Sequence, residues 1–275
     1  MQLRPRNNAS QERSSQMIYL TALRRLGILI CTSVFSLWTL LALGHIALAQ
    51  SVPATVTHSM PPVIVIGFVG GFIRHDDPVH SEVQLAARLR KAYPIGVDVE
   101  TFESYHGGKA RERILSLLDT NHHGVLTPEE KQNGRIIIYG HSWGGSQAIA
   151  LARELEKDGI PVLLTIQVDS ISKIHQNDAV IPANVAQAAN FYQPHGLLHG
   201  RPEIRAADPT HTSIIGNFRI DYKGRPYKCG GYPWYDRIFV KSHTQIECDP
   251  DVWKQAESLI RSNLPPIRGT GDETR

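Results

Sequence analysis

The sequence holds only three cysteines in 275 residues, and one of them, Cys31, lies in an apolar run near the N-terminus. That leaves Cys229 and Cys248, enough for a single disulfide. An excess of one charge is also lacking. Twenty-nine Lys and Arg stand against 26 Asp and Glu, giving a formal net charge of +3, with several arginines at the extreme N-terminus. No basic stripe is interleaved with aromatic residues, so nucleic acid is not an expected partner. There is no internal repeat and no low-complexity tract. Neither G-K-[ST] nor G-x-G-x-x-G occurs, which argues against a phosphate-binding loop. With 41% hydrophobic and 20% charged residues, the composition is that of an ordinary globular protein.

One long apolar run is present. Residues 26–49 read LGILICTSVFSLWTLLALGHIALA, preceded by Arg24 and Arg25 and closed by Ala47-Leu48-Ala49. A positive flank, an apolar run and small residues two apart mark a secretory signal cut after Ala49. The 25 residues ahead of the run are long for such a signal, and a start at Met17 would leave a short basic segment. An uncleaved membrane anchor is the alternative, because the run approaches bilayer-spanning length. Thr32, Ser33, Ser36 and His45 weaken that alternative. Cleavage implies a secreted or periplasmic protein. An anchor keeps the domain outside the cytoplasm, with this segment as its only membrane contact. In either setting Cys229 and Cys248 read as one disulfide bracketing His243, with two buried thiols as the alternative.

Residues 50–62 form a polar, proline-containing linker and residues 265–275 a charged flexible tail, leaving a domain at 63–264. Apolar runs at 63–66, 135–139 and 161–168 read as strands buried on both faces, and 97–102 alternates as a strand. Residues 188–192 and 237–240 are weaker strand candidates. Helical spacing recurs at 79–93, 111–118, 147–156 and 251–261. This alternation predicts an α/β fold, a mainly parallel sheet flanked by helices.

After the strand Ile136-Ile137-Ile138-Tyr139 come Gly140-His141-Ser142-Trp143-Gly144-Gly145 and then a helix. This is G-x-S-x-G between strand and helix, where glycines allow a sharp turn and the helix N-terminus favours negative charge at Ser142. A glycine-rich turn with a structural serine is the plain alternative. The segment resembles the nucleophile elbow of lipases, esterases and related α/β-hydrolases. That resemblance implies an α/β-hydrolase fold and a Ser-acid-His triad in chain order.

The resemblance also implies two oxyanion donors. One is the N–H of Trp143. The other lies in the loop after the first strand, Gly67-Phe68-Val69-Gly70-Gly71-Phe72, with Gly70, Gly71 and Phe72 as candidates. That loop lacks the histidine of the lipase His-Gly-Gly loops. Asp169, at the tip of the strand ending in Val168, is the first candidate for the acid. Asp208 stands at the commoner position one strand later, and Asp178 ranks third. His243 follows the last expected strand and precedes the last helix, in the place of the base. Residues 170–235, poor in regular pattern, read as a loop-rich cover over the site.

Residues 119–130 also resemble a calcium-binding loop, with Asp119, Asn121 and Glu130 at ligand positions, Gly124 at the turn and His123 where an oxygen donor belongs. Thr127-Pro128-Glu129-Glu130 reads equally as a helix capping box. Together these features imply an exported serine hydrolase acting on a small-molecule or lipid ester. It would need no cofactor, unless a structural calcium occupies this loop. A thioesterase or acyltransferase would use the same triad, and a non-catalytic calcium-binding surface protein is the remaining alternative. Oligomeric state is not legible.

Overall fold

The computed structural model describes residues 62–266 other than 225, 226, 235–237 and 239. The expected signal or anchor at 1–49, the linker up to 61 and the tail from 267 lie outside the described residues. In chain order the elements are β1 (Val63–Val69), α1 (Ser81–Ala92), β2 (Val97–Glu103), α2 (Gly107–Leu118), α3 (Pro128–Gln132), β3 (Ile136–His141) and α4 (Trp143–Lys157). There follow β4 (Val162–Val168), β5 (Val180–Ile181), β6 (Val185–Tyr192), β7 (Arg205–Ala206), β8 (Ser213–Arg219), α5 (Lys241–Cys248) and α6 (Pro250–Ser262).

Six strands form one sheet in the order β2-β1-β3-β4-β6-β8, with every pairing parallel. β5 and β7 make a separate short pair. The apolar runs lie in the sheet interior because both of their faces must be covered. Val63 and Val65 of β1 enter one core with Ile137 and Tyr139 of β3, and α1, α5 and α6 pack on that side. Ile64, Ile66 and Phe68 enter the other core with Ile136 and Ile138, under α2 and α4. The period-two alternation of side chains is what lets a continuous apolar run serve two helical layers.

β1 lies between β2 and β3, so crossovers leave it in opposite directions. The chain therefore leaves the neighbouring carboxyl ends of β1 and β3 toward opposite edges of the sheet, the switch point of such a fold. α6 closes the first core with Val252, Trp253, Ala256 and Ile260. Trp253 is 2% exposed, meets the Tyr139 ring edge-on at 6.3 Å and donates from Nε1 to the Glu247 carbonyl at 2.5 Å. Trp253→Ala is expected to cost about 3–5 kcal/mol, read as a shift in the urea midpoint at unchanged slope.

Three sequence expectations change. The described residues of 237–240 are not strand: Ile238 is helical and 63% exposed, Val240 is a bend, and residues 237 and 239 lie outside the described residues. The place of the expected last strand at the sheet edge is taken by β8. That strand lies within the stretch read as loop-rich, as does β6, so part of 170–235 builds sheet, while most of its described residues are loop. His243 sits in the first turn of α5, not in a loop. The half-buried β8 has Gly216 at its centre and lacks the long apolar run that the interior strands need.

Candidate functional site

Ser142 stands between β3 and α4 with φ 56° and ψ −125°, a conformation that few side-chain-bearing residues adopt. Close packing around the turn holds it there. A Cβ at Gly140 would lie 2.4 Å from the Gly144 carbonyl carbon, and one at Gly144 would lie 2.3 Å from the Phe68 carbonyl oxygen. The turn is also bonded to the end of β4 and to the segment that follows it. Ser142 N donates to the Val168 carbonyl at 3.0 Å, and Ile171 N donates to the Ser142 carbonyl at 3.1 Å. Sharp turn, parallel sheet and following helix make one arrangement. This is the α/β-hydrolase fold.

Asp169 follows β4 immediately, also at positive φ (43°), with its N–H bonded to the Phe191 carbonyl at 2.7 Å. It is fully buried. Its carboxylate accepts from His243 Nδ1 at 2.6 Å, Gly200 N at 2.6 Å, Gln193 Nε2 at 2.9 Å and Gln193 N at 3.2 Å. A buried carboxylate is tolerated only with such a set of donors. With Nδ1 donating, His243 presents Nε2 as its free acceptor. Gly200 packs directly over Asp169, so residues 193–200 do cover this part of the site.

The other acid candidates are placed elsewhere. Asp208 is on an exposed turn, bonded to Thr210 and His211. Asp178 is buried under Ser170, Ser172 and Arg201, which all donate to it. Cys229 and Cys248 are joined as a disulfide with Cα atoms 5.7 Å apart, linking the end of α5 to the segment before it.

Gly70 reaches the elbow: a Cβ added there would lie 3.1 Å from Ser142 Cβ and 3.2 Å from His141 Nδ1. Gly71 has φ +47° and Phe72 packs edge-on against Trp143 at 5.4 Å, so the expected oxyanion loop lies over the elbow. Glu103 anchors the far end of that loop, accepting from His75 Nδ1 and His106 Nδ1 at 2.7 Å each. Burial pushes the Glu103 carboxyl up, but these hydrogen bonds outweigh it and hold its pKa at about 2. A folded-state value below the unfolded 4.5 gives stability that is present above pH 4.5 and lost as pH falls toward 2. The melting temperature of Glu103→Gln is therefore expected to fall less than that of the parent across this window, measured by thermal scans.

Sequence reasoning missed a buried cluster beside His243. Glu82 is fully buried and His141 2% exposed, and His80 and Glu247 are buried with them. The His141 ring lies 4.5 Å from the His243 ring. Burial together with the neighbouring Glu247 carboxylate pushes Glu82 well above the usual carboxylate range. His141 is pushed down to about 4 chiefly by burial. A signal was present. Glu82 falls on the same face of α1 as Leu85, Ala86 and Leu89, where a solvated glutamate does not belong.

In the calcium-like loop, Asp119 accepts the His123 and Gly124 N–H groups and Asn121 accepts from His123 N–H. Glu130 closes the capping box with Thr127 and also accepts from Thr120. Asp119, His123 and Glu130 bring ligand atoms within 4.8 Å of one another.

No family model and no curated protein sequence matches the chain. Among solved structures it is similar to a YdeN-like hydrolase of Pectobacterium atrosepticum, at 12% identity and TM-score 0.37 over 74% of this chain and 93% of that one. It is also similar to a dienelactone hydrolase-like promiscuous phosphotriesterase from metagenomic libraries, at 13% identity and TM-score 0.36, covering 75% and 89%. The RedJ thioesterase of the Streptomyces coelicolor prodiginine pathway follows at 10% and 0.34, covering 68% and 91%. At these values the likenesses say nothing about this chain's chemistry.

Proposed function

We propose that the protein is an exported serine hydrolase that cleaves carboxylic esters through Ser142, His243 and Asp169. The observation that supports it best is the buried 2.6 Å bond from His243 to Asp169, at the tip of the strand bonded to the Ser142 elbow. Ser142 Oγ attacks the ester carbonyl carbon while His243 Nε2 takes its proton. Asp169 holds the imidazole in the required tautomer and stabilises the imidazolium. The oxyanion is held by the N–H of Trp143 and a partner from the Gly70–Phe72 stretch, aided by the N-terminal end of α4. His243 then returns the proton to the departing alcohol, and water releases the acid from the acyl-enzyme by the same steps in reverse. No organic cofactor enters the scheme. Export rests on residues 1–49, with the disulfide in keeping with an oxidising compartment.

The test is covalent labelling with a fluorophosphonate, followed by turnover of nitrophenyl esters of increasing acyl length. Labelling and turnover that vanish together in Ser142→Ala support the proposal. Folded parent protein that neither labels nor turns over any ester or thioester would sink it.

A further inference from the structure

The proposed hydrolysis leaves one set of buried donors unused. His80 and Glu82 lie at the start of α1, His141 ends β3 and Glu247 lies in α5. His80, Glu82 and Glu247 each bring a ligand atom within 4.8 Å of the others. His141 Nδ1 stands 3.5 Å from Glu247 Oε2 and 3.7 Å from Glu82 Oε1. A tetrahedral ion with bonds near 2.1 Å places its donors about 3.4 Å apart, so the two His141 separations suit ligands of a shared ion better than hydrogen-bonded partners.

The cluster also carries an electrostatic deficit. Both ring nitrogens of His141 are buried without a hydrogen-bond partner, and the buried Glu82 carboxylate is met by no side-chain donor, only by the backbone N–H groups of Glu82 and Gly70. His80 Nδ1 bonds Glu247 Oε1, so that pair can neutralise itself while Glu82 is left without a counter-charge. A desolvated carboxylate without a counter-charge needs a proton or a cation.

We propose that His80, Glu82, His141 and Glu247 form a binding site for one divalent transition cation, with zinc the best match. Two imidazoles and two carboxylates supply the nitrogen and oxygen donors that zinc takes in four-coordinate sites. Calcium and magnesium favour oxygen donors throughout, and the two imidazoles here disfavour both. The supporting contacts are of the kind that orients ligands: the Tyr232 hydroxyl donates to Glu247 Oε1 at 3.2 Å, and its ring meets the His80 ring edge-on at 5.2 Å. An ion here would tie α1 and β3 to α5, the helix that carries His243. The site stands whether or not Ser142 is a nucleophile.

The test is to produce the protein with zinc in the medium, dialyse it and count the metal by mass spectrometry. About one zinc per chain is expected in the parent, and its loss in Glu82→Gln and in the more peripheral His80→Gln. Asp119→Asn, in the exposed loop, should keep its zinc. Chelator-stripped parent should gain thermal stability when zinc is added back, and Glu82→Gln should not. Cobalt substitution gives a readout that needs no variant, since a four-coordinate visible spectrum is expected from the parent. The proposal is overturned if the parent neither carries nor takes up zinc and shows instead a protonated-carboxyl infrared band that Glu82→Gln removes. It is equally overturned if the zinc survives in Glu82→Gln and leaves with Asp119→Asn.

Discussion

Ser142→Ala is expected to lower kcat/KM for the best nitrophenyl ester by about 10⁴- to 10⁶-fold. The residual rate would come from the oxyanion donors and substrate binding, which the substitution leaves in place. Interpretation depends on separating loss of the hydroxyl from collapse of the turn, and the backbone supplies the control. Ser142 is held at φ 56°, where any Cβ is strained. Alanine keeps that strain, so Ser142→Ala should melt close to the parent. Ser142→Gly relieves it and should be the more stable of the two variants by about 1 kcal/mol. The two should be equally inactive. A variant that gains stability while losing all turnover marks a strained residue retained for chemistry. If Ser142→Gly kept more than a tenth of the parent rate, the nucleophile would have to be another residue.

The interior of this fold was readable because burial on two faces demands continuous β-branched runs. β1, β3 and β4 are of that kind: the ends of β3 and β4 fall within two residues of the expected ones, while β1 runs three residues past its expected end. The edge was not readable. Ile238-Phe239-Val240 is apolar enough to pass for a strand, while β8, with Gly216 and Asn217 inside it, is not. An edge strand needs only one neighbour and a half-covered face, so its composition is weakly constrained. Ser142 and Asp169 were legible because strand tips are set by local sequence. His243 was found by chain order alone, and its helical setting was hidden because the apolar run before it suggested a strand. Glu82, His80 and Glu247 come from separate elements, and only the tertiary fold reveals their meeting. At residues 119–130 the calcium-loop and capping-box readings share Glu130, and the structure shows its oxygens engaged by Thr120 and Thr127.

Asp169→Asn should reduce kcat by about 10⁴-fold while Asp208→Asn changes it little. The two acids were rivals on chain order, and their surroundings now separate them. Asp208 has a side chain 40% exposed on a turn with His211, where an amide can replace the carboxylate at small cost. Asp169 is fully buried and receives donors from Gly200, Gln193 and His243. An asparagine has only one acceptor atom and must turn its NH₂ toward some of those donors. If it faces His243, the imidazole protonates on Nε2 instead of Nδ1 and loses the lone pair that takes the Ser142 proton. If it faces Gly200 or Gln193, a buried donor is left unmet at about 1–3 kcal/mol. The variant must therefore lose catalysis, stability or both, and the comparison of kcat with the urea midpoint shows which orientation it adopts. Fluorophosphonate labelling should slow in parallel with kcat, because both reactions require the same proton transfer. Full activity in Asp169→Asn together with loss in Asp208→Asn would reassign the acid and with it the orientation of His243.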